Sequence, residues 1–183
     1  MKYIIKEQEC GYLLKNGILE KLLFAGKYQL FSWMGYELKI VPMIGKVNTQ
    51  GLPVDVLMKR PEFSSRVVRV QIPDSCIAIH MVNGVCRQML LEGEALYWNV
   101  YETNEIRLVD VTGTQITEEQ VPQMYHHLLP AKICKKIIIS DGETGLLYID
   151  GRYEQQLGCG TWYYWIYAHE VSCKIFNLKI QQL

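Results

Sequence analysis

Cysteines and histidines are the residues of this 183-residue sequence that could ligate a metal, form disulfides or act as a nucleophile with its base. The cysteines are scattered and form no C-x-x-C pair, so their spacing does not match a zinc site. Since the first residues lack the apolar core of a signal peptide, reduced thiols packed as small hydrophobes are expected, with a disulfide framework as the alternative. The six are Cys10, Cys76, Cys86, Cys134, Cys159 and Cys173.

Catalytic motifs are missing from the sequence. It contains no nucleophile paired with a base, no pair of carboxylates in a recognisable setting and no glycine-rich phosphate loop. His126 and His127 are adjacent and would point about 100° apart on a helix, so we expect surface histidines and not a shared metal. The sequence therefore predicts a protein that is not an enzyme and has no bound cofactor.

Composition narrows the class of protein further. Hydrophobic residues make up 49% of the chain, which is enough to fill a core, and mean hydropathy is near zero. Nineteen Lys and Arg balance nineteen Asp and Glu, so a nucleic-acid partner is not expected. No apolar run approaches the roughly 18 residues of a membrane span, and a cytoplasmic location is predicted.

An internal repeat organises the chain. An offset of 67 residues aligns three segments without gaps from the first strand to an aromatic strand. Nine of the 31 positions from Tyr3 to Trp33 are identical in the third copy, where about two are expected by chance. Positions shared by all three copies include Ile5, Ile72 and Ile139, and Leu23, Leu90 and Leu157.

Each copy carries the same turn residues. Asn-Gly and Asp-Gly pairs tolerate the positive φ angles of a type I′ turn, so each pair predicts a β-hairpin. A second glycine follows nine residues later and predicts another turn before the aromatic strand. The pairs are Asn16-Gly17, Asn83-Gly84 and Asp150-Gly151, and the second glycines are Gly26, Gly93 and Gly160.

The predicted fold is mainly β, with three tandem antiparallel β-meander repeats joined by linkers with short helices. The first copy reads as strands 3–5, 11–15, 18–23, 28–33 and 37–41, and the other copies follow by addition of 67 and 134, with one more residue before the last strand. The predicted divisions are repeat 1 over 1–50, a linker over 51–69, repeat 2 over 70–113, a linker over 114–136 and repeat 3 over 137–183.

The two linkers differ in pattern. Pro53 and Pro61 break the first, which predicts one or two short turns. In the second, Thr117 to Gln120 has the spacing of a capping box, and apolar residues at helical spacing continue to Pro130. A short helix over about 118–129 is predicted, with Pro122 in its first turn.

The aromatic segment 162–167 places large rings on both faces of a predicted strand, so at least one face needs a cover. Either both faces pack against neighbouring segments, or one face is an exposed band for a protein partner or a membrane interface. Phe31 and Trp98 align with Trp165, which favours a shared core role for that ring. Trp162, Tyr163 and Tyr167 are the candidate contact residues.

The alignment of the three copies predicts structural environments for two side chains that could be reactive. His80 stands where the other copies have Leu13 and Leu147, so a buried and hydrogen-bonded histidine is expected. Cys159 aligns with Ala25 and Glu92, an ordinary turn position.

The third copy carries a family resemblance. It resembles the start of a stomatin-like SPFH (band 7) domain, with an opening strand, a glutamate and glycine, a second strand, a glycine turn, an aromatic strand and a closing strand. Cys159-Gly160 stands where that family has Pro-Gly, and Asn177 stands where it has Asp. The residues concerned are Ile139-Ser140-Asp141-Gly142-Glu143-Thr144-Gly145-Leu146-Leu147-Tyr148-Ile149-Asp150-Gly151, then Gly160-Thr161-Trp162-Tyr163-Tyr164-Trp165, then Cys173-Lys174-Ile175-Phe176-Asn177-Leu178-Lys179-Ile180-Gln181-Gln182-Leu183.

The arrangement of preceding copies resembles the N-terminal extension of bacterial slipins. The resemblance implies the N-terminal part of a longer scaffold that is peripheral to the inner membrane, with protein partners or self-association and without catalytic residues. Two other interpretations stay open. One is a metal-binding or small-molecule-binding β protein with a pocket lined by His80, His126, His127 or cysteines. The other is a structural protein whose repeats stack into a larger shell.

Overall fold

The computed structural model describes residues 1–91 and 93–178, apart from the side chain of Ser32. The fold is mainly β and antiparallel, as predicted. Two compact units divide the chain. Unit 1 contains Met1–Gln71, Met81–Val85 and Glu94–Ile106, and unit 2 contains the described parts of Ile72–His80, Cys86–Gly93 and Arg107–Leu183. The first copy therefore lies in unit 1, the third lies in unit 2, and the second contributes to both.

The first copy forms two small sheets. The second strand pairs with both the third and the fifth, giving a sheet of order β3-β2-β5, while the first pairs with the fourth. Sequence order predicted the hairpin between β2 and β3 but not the return of β5 to β2. The strands are β1 (Lys2–Ile5), β2 (Glu9–Lys15), β3 (Ile18–Leu23), β4 (Gly26–Gln29) and β5 (Tyr36–Pro42).

The second and third copies repeat these pairings. Their three-stranded sheets have the orders β10-β7-β8 and β13-β12-β15, and their two-stranded sheets are β6-β9 and β11-β14. The internal repeat is thus a structural repeat. The second copy contains β6 (Val67–Ile72), β7 (Cys76–Val82), β8 (Val85–Leu90), β9 (Gly93–Trp98) and β10 (Asn104–Asp110). The third contains β11 (Cys134–Ile139), β12 (Glu143–Ile149), β13 (Arg152–Leu157), β14 (Gly160–Trp165) and β15 (Val171–Asn177).

The hairpin turns have the predicted geometry. Asn16, Asn83 and Asp150 have φ angles of 52°, 51° and 50°, and the glycine after each is also at positive φ, as a type I′ turn requires. The turns are also tied to the last strand of their copies. The backbone N–H of Asp150 donates to the Glu170 carbonyl, and its carboxylate accepts the Glu170 N–H at 2.9 Å.

A glycine inside the second strand allows close packing in two of the copies. A Cβ atom at Gly145 would lie 2.6 Å from Cδ1 of Ile139 and 2.7 Å from Sγ of Cys173. Gly11 is equally crowded, since its Cβ would lie 2.6 Å from Cδ1 of Leu38. The second copy has the buried Ala78 at this position, so its packing accommodates one more carbon.

The first linker forms the short turns that its prolines predict. Helix α1 (Val54–Met58) follows Pro53, and helix α2 (Pro61–Ser64) begins with a proline, where the missing N–H costs no hydrogen bond. Phe63 of α2 is fully buried and contacts Trp98 edge to face at 5.3 Å between ring centroids.

The short helix predicted over about 118–129 forms only in part. The capping box does form, because Thr117 Oγ1 accepts the Gln120 N–H and Gln120 Oε1 accepts the Thr117 N–H, both at 3.2 Å. It closes a single turn, since Pro122 has a ψ angle of 139° and breaks the helical path. A 3₁₀ helix then runs over Gln123–Leu128.

Each unit has its own hydrophobic core. In unit 1, Trp98, Phe63 and Tyr12 are the largest members of a cluster that also contains residues of the first linker. In unit 2, Tyr164 packs with Leu147 and Leu157 between the two sheets of the third copy. The aligned tryptophans Trp98 and Trp165 are 1% and 0% exposed, so the predicted core role is confirmed for both.

The same prediction is wrong for Phe31. Strand β4 ends at Gln29, earlier than predicted, and the chain enters a 3₁₀ helix over Ser32–Met34. Phe31 consequently lies outside the strand and is 46% exposed.

Candidate functional site

Strand β14 holds the aromatic segment in register with β11. Trp162 pairs with Ile137, and Tyr163 lies directly opposite Lys136. Side chains alternate between the two faces of the strand, so Trp162 and Tyr164 share one face while Tyr163 and Trp165 share the other. The aromatic residues of β14 therefore face both sides of the two-stranded sheet.

The C-terminal half of β14 belongs to the core of unit 2. Tyr164 is buried, and its hydroxyl group accepts a hydrogen bond from Gln155 Nε2 at 3.3 Å. Trp165 is covered by the second linker, where its indole N–H donates to Gln120 Oε1 at 3.4 Å. These two rings stabilise the unit and are not accessible to a partner.

The N-terminal half of β14 is more open. Trp162 is 36% exposed, and its indole N–H donates to the Gly158 carbonyl at 3.1 Å, which holds the ring against the turn before the strand. Tyr163 is half-buried. The His126 ring contacts it edge to face at 5.0 Å between centroids, and Lys136 Nζ lies 6.0 Å from its centroid. We call Trp162, Tyr163, His126 and Lys136 the β14 surface.

Three open grooves border the β14 surface. One of about 410 Å³ lies beside Glu118, His126, His127, Lys136, Trp162 and Tyr163, so it offers an acid, a base and two histidines next to aromatic rings. A second of about 430 Å³ continues past Tyr163 to Cys134 and Leu129, and a third of about 260 Å³ lies between Trp162 and Gln155. Tyr163 lines all three grooves.

A hydrogen bond from His126 and the burial of Cys134 limit the chemistry of the groups that line these grooves. Nε2–H of His126 donates to the Val121 carbonyl at 2.9 Å, because the carbonyl can only accept, and this bond orients the ring toward Tyr163. Burial raises the pKa of the Cys134 thiol to about 11, which keeps it protonated and weakly nucleophilic at neutral pH. The arrangement is suited to binding through ring contacts and hydrogen bonds.

The other candidate contact residue lies apart from this surface. Tyr167 is 46% exposed but lies in the bend after β14, since the strand ends at Trp165 and not at Tyr167. Trp162 and Tyr163 border two of the same grooves, although they lie on opposite faces of β14, and Tyr167 lines none of the three.

His80 and the six cysteines lie outside the β14 surface. His80 is 3% exposed with its Nδ1 3.2 Å from Gln88 Nε2, which confirms a buried, hydrogen-bonded histidine. Cys159 is exposed in the turn before β14, and all six cysteines are unpaired thiols. Over residues 1–91 and 93–178, no group of three or more His, Cys, Asp and Glu side chains is arranged to hold a metal ion.

Sequence reasoning named His126 as a surface or pocket-lining histidine, but it did not identify Lys136 as part of the β14 surface. Lys136 was not singled out, although it precedes Ile137 on β11 and lies directly opposite Tyr163 on β14. His126 was expected on the surface of the predicted short helix; it is half-buried in a 3₁₀ helix instead. The signal that could have found Lys136 was the register of the two-stranded sheet.

Comparisons with protein-family models, curated proteins and solved structures find no match to this chain. Within the part of the chain that the structure describes, no helix has the length and apolar character needed to cross a membrane.

Proposed function

We propose that this chain is a non-catalytic protein-interaction module and that the β14 surface contacts its protein partner. The observation that carries the proposal is the division of β14 into a buried half and an open half. Trp162 and Tyr163 stay accessible next to Lys136 and the grooves, although the aromatic residues that follow them are buried. Tryptophan and tyrosine anchors flanked by hydrogen-bonding groups are typical of the residues that dominate protein interfaces.

The wider setting of the proposal is a slipin-like, membrane-associated oligomeric scaffold. It depends on the resemblance of the third copy to the start of an SPFH domain. In this setting, the module would hold other proteins near the membrane and would have no catalytic residues.

Photo-crosslinking at single positions tests the interaction role. A benzophenone amino acid at position 162 should crosslink to a protein partner in cells that express the chain. The matched control is position 153, because Tyr153 is an exposed tyrosine on the neighbouring sheet of the same copy. Equal crosslinking at both positions, or none at position 162, would overturn the assignment of the β14 surface.

A double substitution separates binding from folding. Trp162→Ser with Tyr167→Ser should weaken association and leave the circular dichroism spectrum and melting temperature nearly unchanged, because both side chains are exposed. Unfolding of the variant would show that these rings are part of the core. Co-sedimentation with phosphatidylcholine and phosphatidylglycerol vesicles tests the competing case, in which the same rings insert at a membrane surface.

One observation favours a second candidate function, a small-molecule-binding or metal-binding β-repeat protein. The grooves beside His126 and His127 have volumes of about 410 and 430 Å³, within the usual range of small-molecule sites. Elemental analysis of protein purified without a metal-affinity tag tests the metal form of this function. A stoichiometric metal would favour it over the interaction module.

A further inference from the structure

Two equivalent backbone bridges occur between successive copies. Within unit 1, Lys46 forms an antiparallel bridge with Tyr97, and the Trp98 N–H donates to the Gly45 carbonyl at 2.9 Å. Within unit 2, Gln115 forms the same bridge with Tyr164, and the Trp165 N–H donates to the Thr114 carbonyl at 2.8 Å. We call 45–47 and 114–116 the donor segments. Each follows the last strand of one copy and pairs with the aromatic strand of the next.

The first copy has the corresponding acceptor position without a bridge. Leu30 and Phe31 align with Tyr97 and Trp98, at the offset of 67. Among the described residues, β4 pairs with β1 alone. Where a donor segment is bound, the aligned aromatic residues are buried, whereas neither Leu30 nor Phe31 is. The outer edge of β4 is therefore an open strand edge, the kind of edge to which an extended segment can add.

Exposed apolar side chains lie at β1 and directly after β4. Trp33 is 80% exposed and its ring lies 6.0 Å from that of Phe31, and Met34, Met1 and Ile4 are exposed as well. An open groove of about 420 Å³ runs along β1 and β4. Exposed aromatic and aliphatic side chains next to an open strand edge are typical of an interaction site.

The repeat also identifies a third donor segment. The offset of 67 places Gln181, Gln182 and Leu183 on Thr114, Gln115 and Ile116. In both sequences two polar residues precede an aliphatic one. These three residues follow β15 in the chain and lie outside the residues that the structure describes.

We propose that residues 181–183 of a second copy of this chain add to the outer edge of β4, with the Phe31 N–H donating to the Gln181 carbonyl. The pairing reproduces the bridge between Thr114 and Trp165 in a second molecule. Because the donor and the acceptor are different surfaces, the contact is head to tail and forms rings or filaments. This inference deepens the proposed interaction role by naming a partner, and it uses a surface other than the β14 surface.

Complementation of two defective chains tests the proposal. Phe31→Pro removes the N–H that the bridge needs, and deletion of residues 179–183 removes the donor segment. The unaltered chain should form assemblies whose mass increases with concentration in sedimentation velocity. Each variant alone should sediment as a monomer, the unaltered monomer being 21.3 kDa, and an equimolar mixture should form a 1:1 dimer and nothing larger. Phe31→Ala keeps the N–H and should weaken assembly less than Phe31→Pro.

Several results would overturn the proposal. They are an unaltered chain that stays monomeric, assembly that survives both changes, and a mixture that forms no dimer. Failure at β4 is distinct from failure at the β14 surface, because crosslinking at position 162 does not depend on Phe31.

A peptide experiment covers the case in which Phe31→Pro fails to fold. A synthetic peptide of residues 177–183, added to the chain that lacks 179–183, should slow hydrogen exchange at the Phe31 amide by about tenfold or more. The same peptide with Leu183→Pro is the control, because it removes the N–H that would donate to the Gln29 carbonyl as the Val47 N–H donates to the Leu96 carbonyl. No protection by the unaltered peptide, or equal protection by both, would show that β4 does not accept this segment.

Discussion

Strand β4 of the first copy and strand β14 of the third begin at aligned glycines and pair antiparallel with the first strand of their own copy. They then diverge. In β14, the Trp165 N–H binds the Thr114 carbonyl, the strand extends to Trp165 and this ring is fully buried. In β4, the strand ends at Gln29 and Phe31 is exposed beside a 3₁₀ helix.

The difference shows that burial of the repeated aromatic residue depends on the segment contributed by the preceding copy. Trp165 is enclosed because the second linker supplies both a backbone acceptor, at Thr114, and a side-chain acceptor, at Gln120. An aromatic residue at the aligned position is not buried by its own copy alone.

Truncation of the two aligned rings should have very different effects. Trp165→Ala should destabilise the protein by about 3–5 kcal/mol because it leaves a large cavity in a packed core. Phe31→Ala should cost less than about 1 kcal/mol because the ring is already exposed. Urea unfolding followed by circular dichroism measures both. Similar losses of stability would contradict the comparison.

The glycine inside β12 offers a comparison between the second and third copies. Gly145→Ala should cost about 1–3 kcal/mol, since the added methyl group would overlap Ile139 and Cys173. The same substitution with Ile139→Val should recover part of the loss by removing the nearer carbon.

Gly158→Ala is the matched control, because a Cβ atom there meets nothing within 4 Å. It should change the free energy of unfolding by no more than about 0.5 kcal/mol. If Gly145→Ala were equally neutral, β12 would accommodate alanine as readily as the second copy accommodates Ala78.

The capping box supports the segment that covers Trp165. Thr117→Val removes the side-chain acceptor for the Gln120 N–H and should cost about 0.5–2 kcal/mol. Since Gln120 Oε1 also accepts the Trp165 indole N–H, the near-ultraviolet circular dichroism of tryptophan should change as well. Thr161→Val, at an exposed strand position, is the control and should change neither quantity.

The hairpin turns should differ in their response to acid. Hydrogen bonds from His169 and the Glu170 N–H hold the pKa of Asp150 below its ordinary value. The folded state thus binds this proton less readily than the unfolded state, whose pKa is about 3.9. The stabilising contribution is complete above that value and is lost as the pH falls through the folded pKa.

Asp150→Asn should therefore change stability only slightly at neutral pH, because Asn16 and Asn83 form the same turn in the other copies. It should make the melting temperature less sensitive to pH in the acid range. Thermal unfolding from neutral pH down to about pH 3 compares the two proteins. An unchanged acid response would show that Asp150 contributes little to it.

Local features were predictable because a few neighbouring residues decide them. Asn-Gly and Asp-Gly pairs favour positive φ angles, and these place the hairpins correctly in all three copies. The capping box between Thr117 and Gln120 also formed as its spacing indicated. The short helix expected over 118–129 formed only as a 3₁₀ helix over Gln123–Leu128, since Pro122 interrupts the path that the apolar spacing indicated.

Part of the candidate site could also be taken from the sequence. The density of rings singled out Trp162 and Tyr163, and the repeat alignment predicted burial correctly for Trp165 and incorrectly for Phe31. The contacts of Tyr163 with Lys136 and His126 depend on sheet register and on the path of the second linker. Neither is a property of the aromatic segment itself.

The sequence by itself determined the threefold repeat, the hairpin turns and the antiparallel β character, because side-chain type and spacing act on the nearest residues. Only the tertiary structure decided that β5 returns to β2, that β1 pairs with β4, and that a donor segment closes the aromatic strand of the next copy. These pairings join backbone N–H and C=O groups that are distant in the chain. Every residue except proline carries both groups, so residue type alone does not specify which of them meet.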